Sequence, residues 1–261
     1  MEIIDSHTHV YPDKVAEKAK EHLQKAFSRT MIDLPIVSNL FKHMDKAGIS
    51  KSVVASVASR PDQVVPINNW LFSLKDTRII PFAAMHPYFD GYKEELKRIK
   101  DNACGIKLQS EFQLFFVDDE KAFPMYEELQ KLQIPVLFHC GVELSSPGEV
   151  RSSPDRILNV MKKFPELKII GAHMGGFLMW DEVLEKLAGK NIYFDTSDSL
   201  KMKKELLTRL FEKHGFDKIF YGSDFPLEYP KNDVNSIKSL DISQENKQKI
   251  LSGNIKSFLT L

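Results

Sequence analysis

Eight short runs rich in β-branched and aromatic residues alternate with amphipathic stretches of helical period. This pattern predicts an α/β fold, a (β/α)8 barrel with a helical insertion after strand 1. The runs fall at 2–8, 51–57, 79–85, 105–109, 135–139, 168–173, 191–195 and 218–222. Most are apolar along their whole length instead of alternating, as strands covered on both faces are. A length of 261 residues also suits one such barrel. An open doubly wound sheet would normally carry fewer strands and a glycine-rich phosphate turn after the first, where this chain has His7-Thr8-His9. No Gly/Ser-rich or Pro-rich linker divides the chain, so residues 1–261 are expected to form one domain.

The chain opens on Ile3-Ile4-Asp5-Ser6-His7-Thr8-His9. Side chains at i and i+2 of a strand share a face, so His7 and His9 are expected together at the strand's end, as half of a metal site. Asp5 either orients an imidazole or caps the strand. About 40 residues then precede the second strand, more than a crossover needs. Helices are expected at 12–27 and 36–47, as a flap over the barrel mouth or as a packing excursion. Arg60 follows strand two and His86 follows strand three. Strand four carries Lys107 in Gly105-Ile106-Lys107-Leu108, strand five ends in His139, and strand six ends in His173. Gly175-Gly176 come next, and their backbone N–H groups are candidates for an anionic group. Ser153-Pro154-Asp155 sets an N-cap, a first-turn proline and an acid. The helix at 203–214 stops at Gly215, a residue suited to a left-handed cap. Strand eight leads to Asp224 in Gly222-Ser223-Asp224-Phe225-Pro226. His22, His43 and His214 lie in helical stretches among charged neighbours and are expected at the surface.

Composition excludes several functions. Lys plus Arg and Asp plus Glu both number 36, so the chain lacks the basic excess of a nucleic-acid or anionic-membrane binder. Cys104 and Cys140 sit in apolar runs and offer no disulfide framework. No apolar run approaches the ~20 residues that span a bilayer. Glu2 and Asp5 interrupt any leader-like pattern, and a cytoplasmic protein is expected.

In barrels of this kind the active site lies at the C-terminal ends of the strands. His7, His9, Lys107, His139, His173 and Asp224 all fall there. Any one alone is a weak signal, because a buried structural histidine or a strand-end cap explains it equally well. Together on one rim they point to a metal centre. A divalent ion lowers the pKa of its bound water to about 7 and polarises a carbonyl. Asp224 and His173 are the candidates to take or shuttle the proton. Arg60, His86 and Arg151 are candidate substrate contacts, which suggests a small carboxylate-bearing molecule as substrate.

These residues resemble the amidohydrolase superfamily, specifically its amidohydrolase-related (amidohydrolase 2) TIM-barrel metal-dependent hydrolases. The marks are Asp5-Ser6-His7-Thr8-His9, Gly105-Ile106-Lys107-Leu108, the His139 and His173 strands, Gly222-Ser223-Asp224-Phe225-Pro226 and the closing Ser252-Gly253-Asn254 with Phe258-Leu259. The resemblance implies a divalent metal, most often zinc, held by His7, His9, His139 and Asp224, with His173 beside its water. It implies a second metal if Lys107 is carboxylated, as in two-metal relatives; one metal is favoured. Hydrolysis of a small amide, lactone or ester is the first expected activity. Non-oxidative decarboxylation, similar to that of aminocarboxymuconate semialdehyde decarboxylase, is the alternative. The expected partner is a small-molecule substrate, with no nucleic acid and no membrane, and a homo-oligomer is compatible with this reading. Metal-barrel deoxyribonucleases also begin with His-x-His but carry a glutamate where Lys107 stands.

Overall fold

The computed structural model of the chain describes residues 2–146 and 148–261. Eight parallel strands run β1 (Ile4–Thr8), β2 (Lys51–Ala55), β3 (Ile79–Ala84), β4 (Gly105–Leu108), β5 (Val136–Phe138), β6 (Ile169–Gly171), β7 (Tyr193–Asp195) and β8 (Ile219–Phe220), each paired with the next. Ser6 N donates to Tyr221 O at 2.8 Å and Asp224 N donates to His7 O at 2.9 Å. A parallel bridge joins Thr8 to Phe225, so the last strand's end returns to the first and the barrel all but closes. Each strand lies within its predicted run.

The helices are α1 (Asp13–Phe27), α2 (Val37–Ala47), α3 (Val64–Ser73), α4 (Tyr92–Asn102), α5 (Ser110–Gln113), α6 (Phe123–Leu132), α7 (Pro154–Lys163), α8 (Trp180–Lys186), α9 (Lys204–His214), α10 (Pro230–Ser239), α11 (Gln244–Gln248) and α12 (Asn254–Leu259). Ser153 caps α7, accepting from Arg156 N, and Gly215 ends α9 at φ 90°.

The continuous apolar runs follow from two layers of burial. Ile4, Val53, Phe82, Leu137, Ile170 and Phe220 fill the barrel interior. Val54, Ile106, Val136 and Ile169 belong to the larger cluster shared with the helices. Phe258 of α12 packs on Tyr193 and Phe220, at centroid distances of 4.4 and 5.4 Å.

The insertion divides its roles. α2 buries Leu40 and Met44 and lies against α10, a packing excursion. α1 buries only Ala16 fully, and Leu23, Phe27 and the following Arg29 and Met31 wall the cavity at the mouth. Two of the histidines expected at the surface are buried. His43 is paired with Asp33 at 3.2 Å, and His214 stacks on Phe194 with ring centroids 3.9 Å apart. The charged neighbours in sequence lie on the opposite faces of those helices, whereas His22 is exposed. Both cysteines are free thiols. Among the described residues no helix is long and apolar enough to cross a membrane.

Candidate metal centre

The centre begins with an irregularity in β1. Asp5 pairs with Ser52 and Thr8 with Val54, so three steps on β1 match two on β2. Simple alternation from the inward-facing Ile4 would turn His7 away from the barrel axis. The extra residue re-phases the strand and points His7 inward, which is what a β-bulge does. Gly222 supports this approach, because a Cβ there would meet His7 Cβ at 3.0 Å.

Hydrogen bonds then fix the tautomers. His7 Nδ1 lies 2.9 Å from Asp195 Oδ2, and His9 Nδ1 lies 2.8 Å from the Ala55 carbonyl oxygen. Both partners only accept, so both Nδ1 atoms carry the proton and both Nε2 atoms carry lone pairs. The two Nε2 atoms face each other at 3.1 Å. Asp224 Oδ1 stands 3.8 Å from the first and 3.5 Å from the second. The three ligand atoms lie within 4.8 Å of one another. Three converging electron-pair donors of this type fit a divalent ion.

The carboxylates around them behave differently. Burial alone would raise the Asp224 carboxyl, but the neighbouring His9, His7 and His173 imidazoles outweigh it and hold the group well below the usual range. Burial likewise opposes ionisation of Asp195, yet its contacts with His7 draw it down to about 2. Burial pushes the His7 imidazole down to about 4, and Lys107 adds to this. Asp5 touches no imidazole. Its carboxylate accepts from His7 N at 3.1 Å, Ser223 N at 2.9 Å and Ser223 Oγ at 2.6 Å, tying β1 to the loop after β8. Of its two expected roles it has the cap, and burial raises it to about 7. The imidazole-orienting acid is Asp195, the last residue of β7.

On the other side of the barrel, His139 Nδ1 lies 3.1 Å from His173 Nε2, and His173 Nδ1 lies 3.0 Å from the Ser197 carbonyl oxygen. That acceptor places the His173 proton on Nδ1, so His173 Nε2 accepts from His139 Nδ1 and His139 Nε2 keeps a lone pair. His139 Nε2 is buried and has no hydrogen-bond partner among the described residues. Burial and the neighbouring His173 hold the His139 imidazole well below its ordinary value. Lys107 is fully buried with Nζ 3.2 Å from His7 Nε2, and burial lowers its ammonium. Asp224 and His173 both hold positive φ, 62° and 58°, a strained backbone that non-glycine residues keep where the surroundings over-determine it.

A cavity of about 100 Å³ opens over these groups. Phe27, Phe112 and Phe177 supply apolar wall, and His9, His139, His173 and Asp224 supply the polar floor. Arg29 from the insertion bonds Glu228 at 2.6 Å and pairs with Asp198. Glu143, buried in the wall, has its carboxyl raised by burial against the bonds from Ser145. Sequence reasoning missed Arg29, Asp198 and Glu143, which no strand-end rule reaches.

Three predicted substrate contacts are not among the residues that line this cavity. Arg60 is exposed and bonds Asp62 at 3.0 Å, two residues along its own loop. The Arg151 guanidinium lies over the Phe116 ring at 4.8 Å. His86 is buried beside Tyr88, whose N–H it accepts at 3.2 Å. The Gly175 and Gly176 amides donate to Ala172 O and His173 O, so they close a tight turn and leave nothing for an anion.

The fold is similar to that of 5-carboxyvanillate decarboxylase from Sphingomonas paucimobilis, with TM-score 0.77, 14% identity and coverage of 100% of this chain and 99% of that one. It is also similar to 2,6-dihydroxybenzoate decarboxylase from Rhizobium, with TM-score 0.75, 17% identity and coverage of 100% and 99%. A third similar structure is a dihydroxybenzoic acid decarboxylase from Polaromonas sp. JS666 with bound manganese and 2-nitroresorcinol, with TM-score 0.74, 19% identity and coverage of 99% and 97%. At these identities the likeness carries the fold. The family model described as amidohydrolase matches residues 4–261, from the first strand through the last helix, and with the histidine-rich rim in place the chain belongs to that amidohydrolase family.

Proposed function

We propose that the protein is a metal-dependent, non-oxidative decarboxylase acting on a small carboxylate attached to an aromatic or unsaturated carbon. The observation that carries this reading is the small aromatic-walled cavity, roofed by α1, into which His9 and Asp224 of the donor triad open, with His7 buried beside them. Hydrolysis, the activity placed first by the sequence, consumes water and is served poorly by phenylalanine walls. Loss of carbon dioxide needs no water, and an apolar wall protects the carbanion-like transition state from it. The decarboxylases among the similar structures support the same reading.

In this reading His7, His9 and Asp224 hold the ion, and His139 turns its free Nε2 to the same cavity as a fourth donor. When bound, the divalent ion supplies positive charge that anchors substrate oxygens and stabilises the electron pair left as carbon dioxide departs. Manganese and zinc both accept such nitrogen and oxygen donors. His173 orients His139 by accepting its Nδ1–H. Asp224, on the cavity floor, takes a proton from solvent before substrate closes the site and gives it to the carbon whose carboxylate leaves as carbon dioxide. Phe27, Phe112 and Phe177 hold the ring and exclude water.

The test is product analysis. Manganese-loaded and zinc-loaded protein incubated with hydroxybenzoates and unsaturated carboxylates is expected to release carbon dioxide with no net addition of water. Turnover of lactones or amides, with no carbon dioxide from any carboxylate, would return the assignment to hydrolysis by the same donors.

A further inference from the structure

The cavity wall contains a buried carboxyl that the donor triad does not use. Glu143 is 5% exposed. Its Oε1 accepts from Ser145 N at 3.0 Å and Ser145 Oγ at 2.8 Å, and its Oε2 accepts from Gln109 Nε2 at 2.7 Å. Among the described residues no lysine or arginine lies within ion-pair distance of it; its one near neighbour of that kind is His139 Nε2, at 3.9 Å, which carries a lone pair. Gly141, at φ 91°, lets the loop after β5 run against the Phe177 backbone, where a Cβ would come within 2.2 Å. That close approach sets Glu143 and Phe177 as adjacent walls.

Burying a carboxyl with no cation is unfavourable unless hydrogen bonds hold it or a ligand completes it. Three donors hold Glu143 in one pose, and each carboxylate oxygen has two acceptor sites, so Oε2 keeps capacity toward the cavity. Arg29, the cation of the cavity wall, is already paired with Asp198 and Glu228. Among the described residues the wall therefore offers an acceptor to the substrate, and offers no free cation for a second carboxylate.

We propose that Glu143 determines specificity: its Oε2 accepts a hydrogen bond from a hydroxyl or amino substituent of the ring carboxylate that the cavity takes. This rests on the decarboxylase reading above. Carboxylates bearing such a donor are preferred over the bare ring, and ring dicarboxylates are rejected because a second carboxylate meets Glu143 as a like charge.

The experiment measures dissociation constants by calorimetry on the manganese-loaded protein for benzoate, salicylate, meta-hydroxybenzoate, anthranilate and isophthalate. The natural chain is expected to bind at least one donor-bearing ring about tenfold or more tighter than benzoate, with isophthalate weakest. Glu143→Leu and the isosteric Glu143→Gln are expected to remove that preference and relieve the isophthalate penalty, with metal content and benzoate affinity unchanged. Ser145→Ala, which leaves the carboxyl but frees its pose, is expected to lose part of the preference. If Glu143→Leu does not fold, Glu143→Gln decides. A preference retained in Glu143→Gln overturns the proposal, as does loss of the metal from that variant, which would make Glu143 a ligand. Equal affinity of the natural chain for all five probes overturns the proposal alone, whereas no binding of any of them overturns the decarboxylase reading with it.

Discussion

The rim holds two pairs of histidines with the same spacing and opposite chemistry. In each pair two ring nitrogens stand 3.1 Å apart. For His7 and His9, Asp195 and the Ala55 carbonyl claim both Nδ1 protons, so lone pair faces lone pair. Two acceptors at that distance repel unless a cation or donor lies beside them, and the buried Lys107 Nζ, 3.2 Å from His7 Nε2, supplies a donor to one of them here. For His139 and His173 the Ser197 carbonyl fixes one tautomer, the other follows, and the contact is an ordinary N–H···N bond. The first pair is built to wait for a cation; the second is satisfied as it stands and shows only His139 Nε2 to the cavity. Spacing alone does not make a metal site, because the groups behind the imidazoles decide where the lone pairs point. On this ground we favour one ion per chain, seated at His7, His9 and Asp224, with His139 Nε2 as the fourth donor.

The largest effect that bears on this contrast is at Asp224. Asp224→Asn keeps the shape but loses the charge and the proton carrier, so turnover is expected to fall by about 10²–10⁴-fold, with the circular dichroism spectrum unchanged. Undiminished turnover would remove Asp224 from the mechanism. A smaller effect separates the pairs directly. Asp195→Asn releases the His7 tautomer and is expected to weaken metal affinity by about 10–100-fold, whereas His173→Gln, which still accepts from His139, stays at the low end of that range. Elemental analysis gives the companion number: one equivalent of metal per chain keeps the contrast, and two equivalents would make the second pair and Lys107 ligands as well.

An effect on stability alone, with no change in turnover or metal affinity, comes from a histidine outside both pairs. Burial, helped by Lys218, pushes His214 down to about 4 from 6.5. The unfolded chain therefore binds a proton that the folded chain refuses between those values, and stability is lost as pH falls from 6.5 toward 4. The difference corresponds to roughly 3 kcal/mol. His214→Phe is expected to flatten the melting temperature against pH in that window, compared with the natural chain. An unchanged slope would place the acid sensitivity elsewhere, in the metal centre first.

Comparison of the natural and variant chains also cancels the opposing contribution of Asp5, whose carboxyl is raised to about 7 and whose stabilisation falls as pH rises toward that value.

Much of this was legible in one dimension. Strands covered on both faces must be apolar throughout, so eight continuous runs announced a barrel, and His7, His9, His139, His173, Lys107 and Asp224 stood at their ends because that is where barrel chemistry is placed. Ser153 and Gly215 announced helix ends by local chemistry that needs no tertiary partner. Other features depended on the assembled fold. The bulge in β1 that turns His7 inward exists only against β2, and the choice of Asp195 over Asp5 as the imidazole's partner needs β7 beside β1. Arg29 reaches the cavity only because α1 folds back over the mouth, while Arg60 and Arg151, identical in sequence chemistry, find nearer partners in Asp62 and Phe116. Periodicity and capping act over a few residues and can be read in order along the chain. Which acid meets which imidazole, and which arginine reaches the cavity, is set by contacts across nearly two hundred residues, and only the closed barrel brings those together.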